Sequence, residues 1–380
     1  MAMENSANYQ GLVNAGDLPD KPAPISTDGI GPWMRDNLFN GVKNSILTIS
    51  AILLVLYTLP SALNWLVFNA VWTGGSDACR ANPDGACWTF VSARWEQFLY
   101  GFYEKSERWR INILLAILAF GIVWLAWERS PGRKYMAFFM LIIFPIFSFF
   151  MMYGNETLGL AIVETPQWGG FTLTLVIALS GIVVSLPLGI VLALGRRSKM
   201  RVISLLSTIF IEFWRGIPLV AVLFMATIMF PLFLPAGVTF DQLLRAVIGV
   251  ALFASAYMAE VVRGGLQAIP KGQYEGAMAL GLPFSKMMRL VVLPQALKVV
   301  IPGIVNTFIG LFKDTTLVLI IALFDLLGIV QASIADPNWS IKSVPYTGYA
   351  FVAIVFWVCC YSMARYSRYI EDKLHTGHKR

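Results

Sequence analysis

The sequence predicts an all-α, polytopic transmembrane bundle of about eight spans, and three observations lead there. Hydrophobic residues make up 57% of the 380 positions and charged residues only 13%, about half the charged share of soluble domains. Mean hydropathy is +0.67. Long apolar windows recur at the length a membrane requires, since a bilayer core of about 30 Å is crossed by about 20 residues at about 1.5 Å each. Inside lipid the backbone must satisfy its own hydrogen bonds, so such windows are helices.

In chain order the windows are Lys43–Phe68, Ile111–Trp127, Tyr135–Met152, Trp168–Leu194, Val202–Pro231, Leu243–Val262, Val299–Ala322 and Gly348–Met363. Residues 1–42 precede them, lack periodicity, and are expected to form a disordered cytoplasmic arm. The first apolar stretch begins too far in for a signal peptide. An even number of crossings places both termini on one side. The basic connections make that side cytoplasmic: Arg129, Arg133 and Lys134; Arg196, Arg197, Lys199 and Arg201; Arg263, Lys271, Lys286, Arg289 and Lys298; and the tail 368–380. Arg80, Arg94, Lys105, Arg108 and Arg110 cluster on the opposite side, against that trend. The net charge of +7 is mainly a topology signal. Scattered over short loops, it offers nucleic acid no continuous face.

Two of the four cysteines, Cys79 and Cys87, share the outer loop 69–110, where Pro83 and Gly85 allow a tight turn. An oxidising compartment would join them, and two free thiols are the alternative. Cys359 and Cys360 fall in the last span as lipid-facing or packing residues.

The chain reads as two blocks. Residues 43–165 hold three spans and the outer loop; residues 166–367 hold five spans and the long inner loop 263–294. No internal repeat is visible, which weakens a duplicated secondary-transporter fold. In the inner loop Pro270 opens a short helix, and Gly281 with Pro283 stops it. Pro283 starts a second short helix, Phe284–Arg289, and Pro294 begins the next span. Tyr274, Ala277, Met278 and Gly281 lie at helical spacing and are expected to form one small apolar face. Such a face in an aqueous loop costs free energy unless it meets lipid or a partner protein.

This loop resembles that of the permeases of binding-protein-dependent ABC importers. Their signature is Glu-Ala-Ala, three residues, Gly, nine residues, then Ile-x-Leu-Pro. Here Glu275-Gly276-Ala277, Gly281 and Val291-Val292-Leu293-Pro294 keep every spacing, with Gly276 and Val291 as the departures. Gly276 loosens the helix by up to about 1 kcal/mol and leaves the carboxylate in place. The resemblance implies a type I permease core of five helices over 166–367. It also implies that Tyr274, Glu275, Gly276, Ala277, Met278 and Gly281 couple the chain to a cytoplasmic ATPase. Four further segments are similar to the polar amino acid uptake permeases: Trp168-Gly-Gly-Phe-Thr-Leu, Leu194-Gly-Arg-Arg-Ser198, Glu212-Phe-Trp-Arg215-Gly-Ile-Pro218-Leu, and Lys313-Asp-Thr-Thr-Leu317. The three extra spans and the cysteine loop resemble the M-type subunits of the general L-amino acid transporters.

The resemblance therefore implies an L-amino acid permease in a bacterial inner membrane. Its implied partners are a periplasmic binding protein, two ATPase subunits that carry ATP and Mg, and a second permease chain, different or identical. This chain is expected to bind no cofactor, because it has no Gly-x-x-x-x-Gly-Lys-[Ser/Thr] loop. His375-x-x-His378, in a solvated tail, is a poor metal site. Charge inside spans costs about 2.5–3.5 kcal/mol when unpaired, so the charged residues there face a path or a partner. Lys313 and Asp314, with Thr315, Thr316 and Glu260, are candidates for the substrate path, because a cation and an anion suit a zwitterion. Pairing with other helices is the alternative. Glu212 and Arg215 are candidates for a gate or an interface. A secondary transporter is the rival function, and it leaves the coupling loop unexplained.

Overall fold

The computed structural model describes residues 29–235 and 237–375, and the chain divides into two units, 1–70 and 71–380. In the first unit α1 (Ile30–Asn37) precedes α2 (Val42–Leu63), which continues as a π turn over Asn64–Phe68. The helix α1 corrects the expectation of a structureless arm over 1–42. Pro32 sits in its first turn, where a helix needs no N–H, and the Asn37 side-chain amide donates to the Trp33 carbonyl at 2.9 Å. Residues 1–28 lie outside the described ones. On α2, Leu53, Val55, Leu56 and Tyr57 are all exposed. A helix apolar on every face has lipid as its solvent.

The second unit opens with α3 (Ser76–Ala81) and α4 (Trp88–Tyr100), linked at their base by a Cys79–Cys87 disulfide with Cα atoms 5.7 Å apart. Next come α5 (Arg108–Ala126), then α6 (Arg133–Phe138) and α7 (Phe144–Tyr153) joined by a π turn. The centre is α8 (Gly170–Arg196) packed along α11 (Gln242–Ala268). Small residues let these two backbones approach. A Cβ on Gly189 would sit 2.6 Å from Met258 Cγ, and Ala254, Ala256 and Ala259 are buried. Between them run α9 (Arg201–Gly216) and α10 (Leu219–Phe224), the latter extended by further turns to Phe233. After α11 come α12 (Lys271–Ala279), α13 (Phe284–Met287), α14 (Leu293–Val299) and α15 (Ile301–Asp314), whose last turns tighten over Thr315–Ile321. Then α16 (Leu326–Ile334) and α17 (Val344–His375) complete the unit.

Among the described residues seven helices are long and apolar enough to cross a membrane, or eight if one bent pair counts as a span. That pair corrects the single span expected at Val202–Pro231: α9 and the Leu219–Phe233 segment meet at 105°. Pro218 is the cause, because it lacks an N–H and forces Ile217 into an extended conformation (φ −107°, ψ 136°). Glu212 lies about three turns into α9 yet still reaches Arg196 at the end of α8, at 2.8 Å. So α9 is tied to the end of α8, and the chain turns sharply after Pro218.

The bundle thus has a disulfide end and a basic end. At the disulfide end α4 packs on α8, α16 and α17. Phe90 meets Trp339 edge-on, Phe98 stacks on Phe351, and the Cys87 N–H donates to Thr347 Oγ1 at 2.9 Å. Residues 71–165 therefore share one packed body with the block after 166, and the break in packing falls at Ala70. Four of the five bases that ran against the charge trend are matched with acids here: Arg80 with Asp77, Arg94 with Asp336, Arg108 with Glu96, Arg110 with Glu107.

Candidate functional site

The basic end carries the residues that the sequence singled out. Pro270 precedes α12 as expected, and Gly281 ends it with φ +71°, a left-handed conformation that favours glycine. The Gly281 N–H donates to Met278 O at 2.9 Å and the Leu282 N–H to Ala277 O at 3.2 Å. Both otherwise orphaned carbonyls are thereby satisfied, which makes α12 and the turn after it a rigid hairpin. Gln295 Nε2 donates to Gln273 Oε1 at 2.9 Å and ties the hairpin to α14.

The single apolar face expected for Tyr274, Ala277, Met278 and Gly281 divides. Ala277 is only 4% exposed and packs among Met287, Met288 and Val292. Tyr274 is half-buried; its hydroxyl donates to Leu266 O at 3.1 Å and accepts from Arg197 Nη1 at 3.3 Å. The face left open instead carries Met278, Leu280 (81% exposed) and Phe284, beside exposed Glu275, Gly276 and Gly281. Helical spacing was read correctly, but the side of the helix that the bundle covers depends on where α14 lies.

Behind the hairpin Glu260 is a hub. It accepts from Arg196 Nη1 at 2.6 Å and from Arg263 Nη2 at 2.8 Å, and Arg215 Nη1 lies 3.5 Å away. Arg196 also donates to Glu212 at 2.8 Å, and Arg215 sits over the Tyr257 ring at 5.7 Å. Three arginines and two carboxylates thus clasp the ends of α8, α9 and α11. Removal of the shared carboxylate would leave three cations facing one another. Arg197 donates to Leu266 O at 2.9 Å and lies 5.8 Å from the centre of the Tyr274 ring, so the end of α8 also holds α12. Arg196 and Arg197 were read as topology signals and as part of the Leu194–Ser198 resemblance, without a role in holding helices together.

The substrate-path candidates do not come together. Glu260 belongs to the arginine clasp, whereas Lys313–Thr316 lie where α15 tightens into its last turns. Lys313 is exposed and Asp314 half-buried, and neither forms an ion pair among the described residues. The Thr315 and Thr316 hydroxyls donate back to Phe312 O and Lys313 O. His378 of the tail pair lies outside the described residues.

Comparisons with known proteins place the chain in a family. Residues 185–376 match the family described as binding-protein-dependent transport system inner membrane component. The chain is 51% identical over 360 residues to the inner membrane amino-acid ABC transporter permease protein YhdY of Escherichia coli (strain K12), covering 94% of this chain and 97% of that one. It is 39% identical over 435 residues to the glutamate/glutamine/aspartate/asparagine transport system permease protein BztC of Rhodobacter capsulatus, covering 97% and 99%. A solved amino acid ABC transporter with histidines aligns with 54% of this chain and 92% of that one at 29% identity and TM-score 0.46. By the match over its second half and by relatives of nearly its own length, the chain belongs to the inner membrane components of binding-protein-dependent transport systems.

Proposed function

We propose that this chain is the translocation subunit of an ATP-driven importer of L-amino acids, with both termini and the basic end in the cytoplasm. The observation that carries this reading is the hairpin over 270–283, which leaves Glu275, Met278 and Leu280 exposed beside exposed Phe284 at the start of α13. Apolar side chains in water call for a protein groove, and the names of the full-length relatives supply the amino-acid substrate. A separate ATPase holds ATP and Mg, grips the hairpin through Tyr274–Gly281, and moves it when nucleotide closes the dimer. The arginine clasp behind the hairpin passes that movement to α8, α9 and α11. Two ATPase subunits, a periplasmic binding protein and a second permease chain complete the assembly. The second permease is a different chain, because only one hairpin is present here and the general transporters pair unlike permeases. Lys313 and Asp314, with Thr315 and Thr316, face the translocation path.

Glu275→Arg tests the coupling step. The variant should insert normally but lose co-purification of the ATPase and ATP-dependent uptake. Normal uptake by this variant would overturn the coupling role and favour a secondary transporter.

A further inference from the structure

A cleft of about 300 Å³ runs between α5, α7 and α8, along the seam where the extra spans meet the rest of the unit. Leu114, Leu118, Phe144, Val176 and Leu179 line it, and nearly all of its surface is apolar. The volume equals roughly ten water molecules, but each water needs two or more polar partners, which this lining does not offer. The hydroxyl of Ser148, on the lining, has no hydrogen-bond partner. All three walls are membrane-spanning helices, and Ile122, Leu141 and Phe149 on the rim are about half exposed, so the cleft opens sideways into hydrocarbon.

Its two mouths differ. Toward the disulfide end it is sealed by Ile111, Met152 and Trp168, all under 4% exposed, and the Tyr103 hydroxyl donates to Met152 O at 2.8 Å. Toward the basic end the lining reaches Leu125, whose carbonyl accepts from Arg133 Nη2 at 2.6 Å. Lys134 and Arg129, in the same connection as Arg133, are exposed. Glu128, the acid of this connection, is engaged by Lys373 and Tyr369, and those bonds hold its carboxyl below the usual range. Trp127 and Tyr135, both exposed, mark this level as the membrane–water interface.

We infer that the cleft holds one acyl chain of an anionic phospholipid, whose phosphate rests on Arg129, Arg133 and Lys134. The closed mouth fixes the direction of entry: the tail points to the disulfide end and the headgroup stays at the basic end. Each basic residue near a membrane surface favours an anionic headgroup about fivefold.

Native mass spectrometry of the full transporter, extracted from bacterial membranes in mild detergent, tests this. A retained phospholipid is expected for each copy of the chain, with phosphatidylglycerol favoured over phosphatidylethanolamine. Ser148→Phe fills the cleft without removing a hydrogen bond and should expel the lipid; Ser180→Phe should do so from the opposite wall. Arg133→Gln with Lys134→Gln should keep a lipid but reduce the phosphatidylglycerol preference about 25-fold, about fivefold for each charge removed. Melting in nanodiscs of either lipid gives a second readout: phosphatidylglycerol should stabilise the wild type more than either phenylalanine variant. Unchanged lipid retention and preference in both phenylalanine variants would overturn the inference. So would a co-purifying protein helix that occupies the cleft in place of lipid.

Discussion

At the disulfide end, four arginines are each matched with one acid, and aromatic rings fill the space between α4, α16 and α17. At the basic end, three arginines converge on Glu260, and Met278, Leu280 and Phe284 are left uncovered. The first arrangement is held by burial and a covalent bond, both of which resist small displacements. The second adds to its own buried apolar cluster, which includes Leu192, Ile211, Met258 and Val262, a charge network in which one carboxylate serves three arginines. The contrast separates an end tied by one-to-one ion pairs and a covalent bond from an end whose charges are shared between helices.

The largest expected effect tests the shared carboxylate. Glu260→Ala leaves Arg196, Arg215 and Arg263 uncompensated in a site where Glu260 is 16% exposed, and should cost about 3 kcal/mol or more. Its melting temperature in detergent should fall well below that of Glu260→Gln, which keeps hydrogen-bond acceptors. Melting of both variants at the wild-type temperature would mean that the shared carboxylate does not hold this end together.

A comparable but pH-dependent effect is expected at the disulfide end. Asp325 is fully buried: Oδ1 accepts the Gly328 N–H at 2.9 Å, and Oδ2 has no partner. Burial pushes its carboxyl up from 3.8 to about 6, against the Gly328 and Leu327 backbone bonds. Because the folded value is the higher one, the stabilisation is complete below about pH 3.8 and is lost as pH rises through about 6. Over that window the loss is about 3 kcal/mol. Asp325→Asn should flatten this part of the melting profile, and an unchanged slope would assign it to other groups.

The disulfide should contribute about 2–3 kcal/mol, as expected for closing a short loop. Cys79→Ser, or reduction of the wild type, should lower the melting temperature while leaving the Arg196–Glu260 clasp intact. The smallest effect belongs to Arg197→Ala, which removes one ring contact, one carbonyl bond and a long bond to the Tyr274 hydroxyl, about 1–2 kcal/mol in all. Its stability should change least, whereas ATPase stimulation by substrate should fall if the end of α8 transmits movement to α12. For crosslinking that movement, Met278 is the better site than the buried Ala277.

Much of the site was legible because it depends on local chemistry. Pro270, Gly281 and Pro283 punctuate the backbone whatever surrounds them, so the hairpin and its ends followed from those residues alone. The number of apolar windows followed equally, since helix rise and membrane thickness set the length. Charge bias also marked which connections share an end, apart from Arg80, Arg94, Arg108 and Arg110. Those four misled because pairing with an acid cannot be seen in a count of bases.

Composition and spacing thus determined the fold class, all but one of the spans and the position of the hairpin after Pro270, because all three arise from neighbours along the chain. Tertiary structure alone decided that Pro218 turns the fifth window sharply, and that Ala277 faces inward while Leu280 faces out. It also brought Arg196 and Arg215, from α8 and α9, onto Glu260 beside its helical neighbour Arg263. Each of these depends on which distant helix supplies the covering surface or the opposite charge, and sequence order does not encode that proximity.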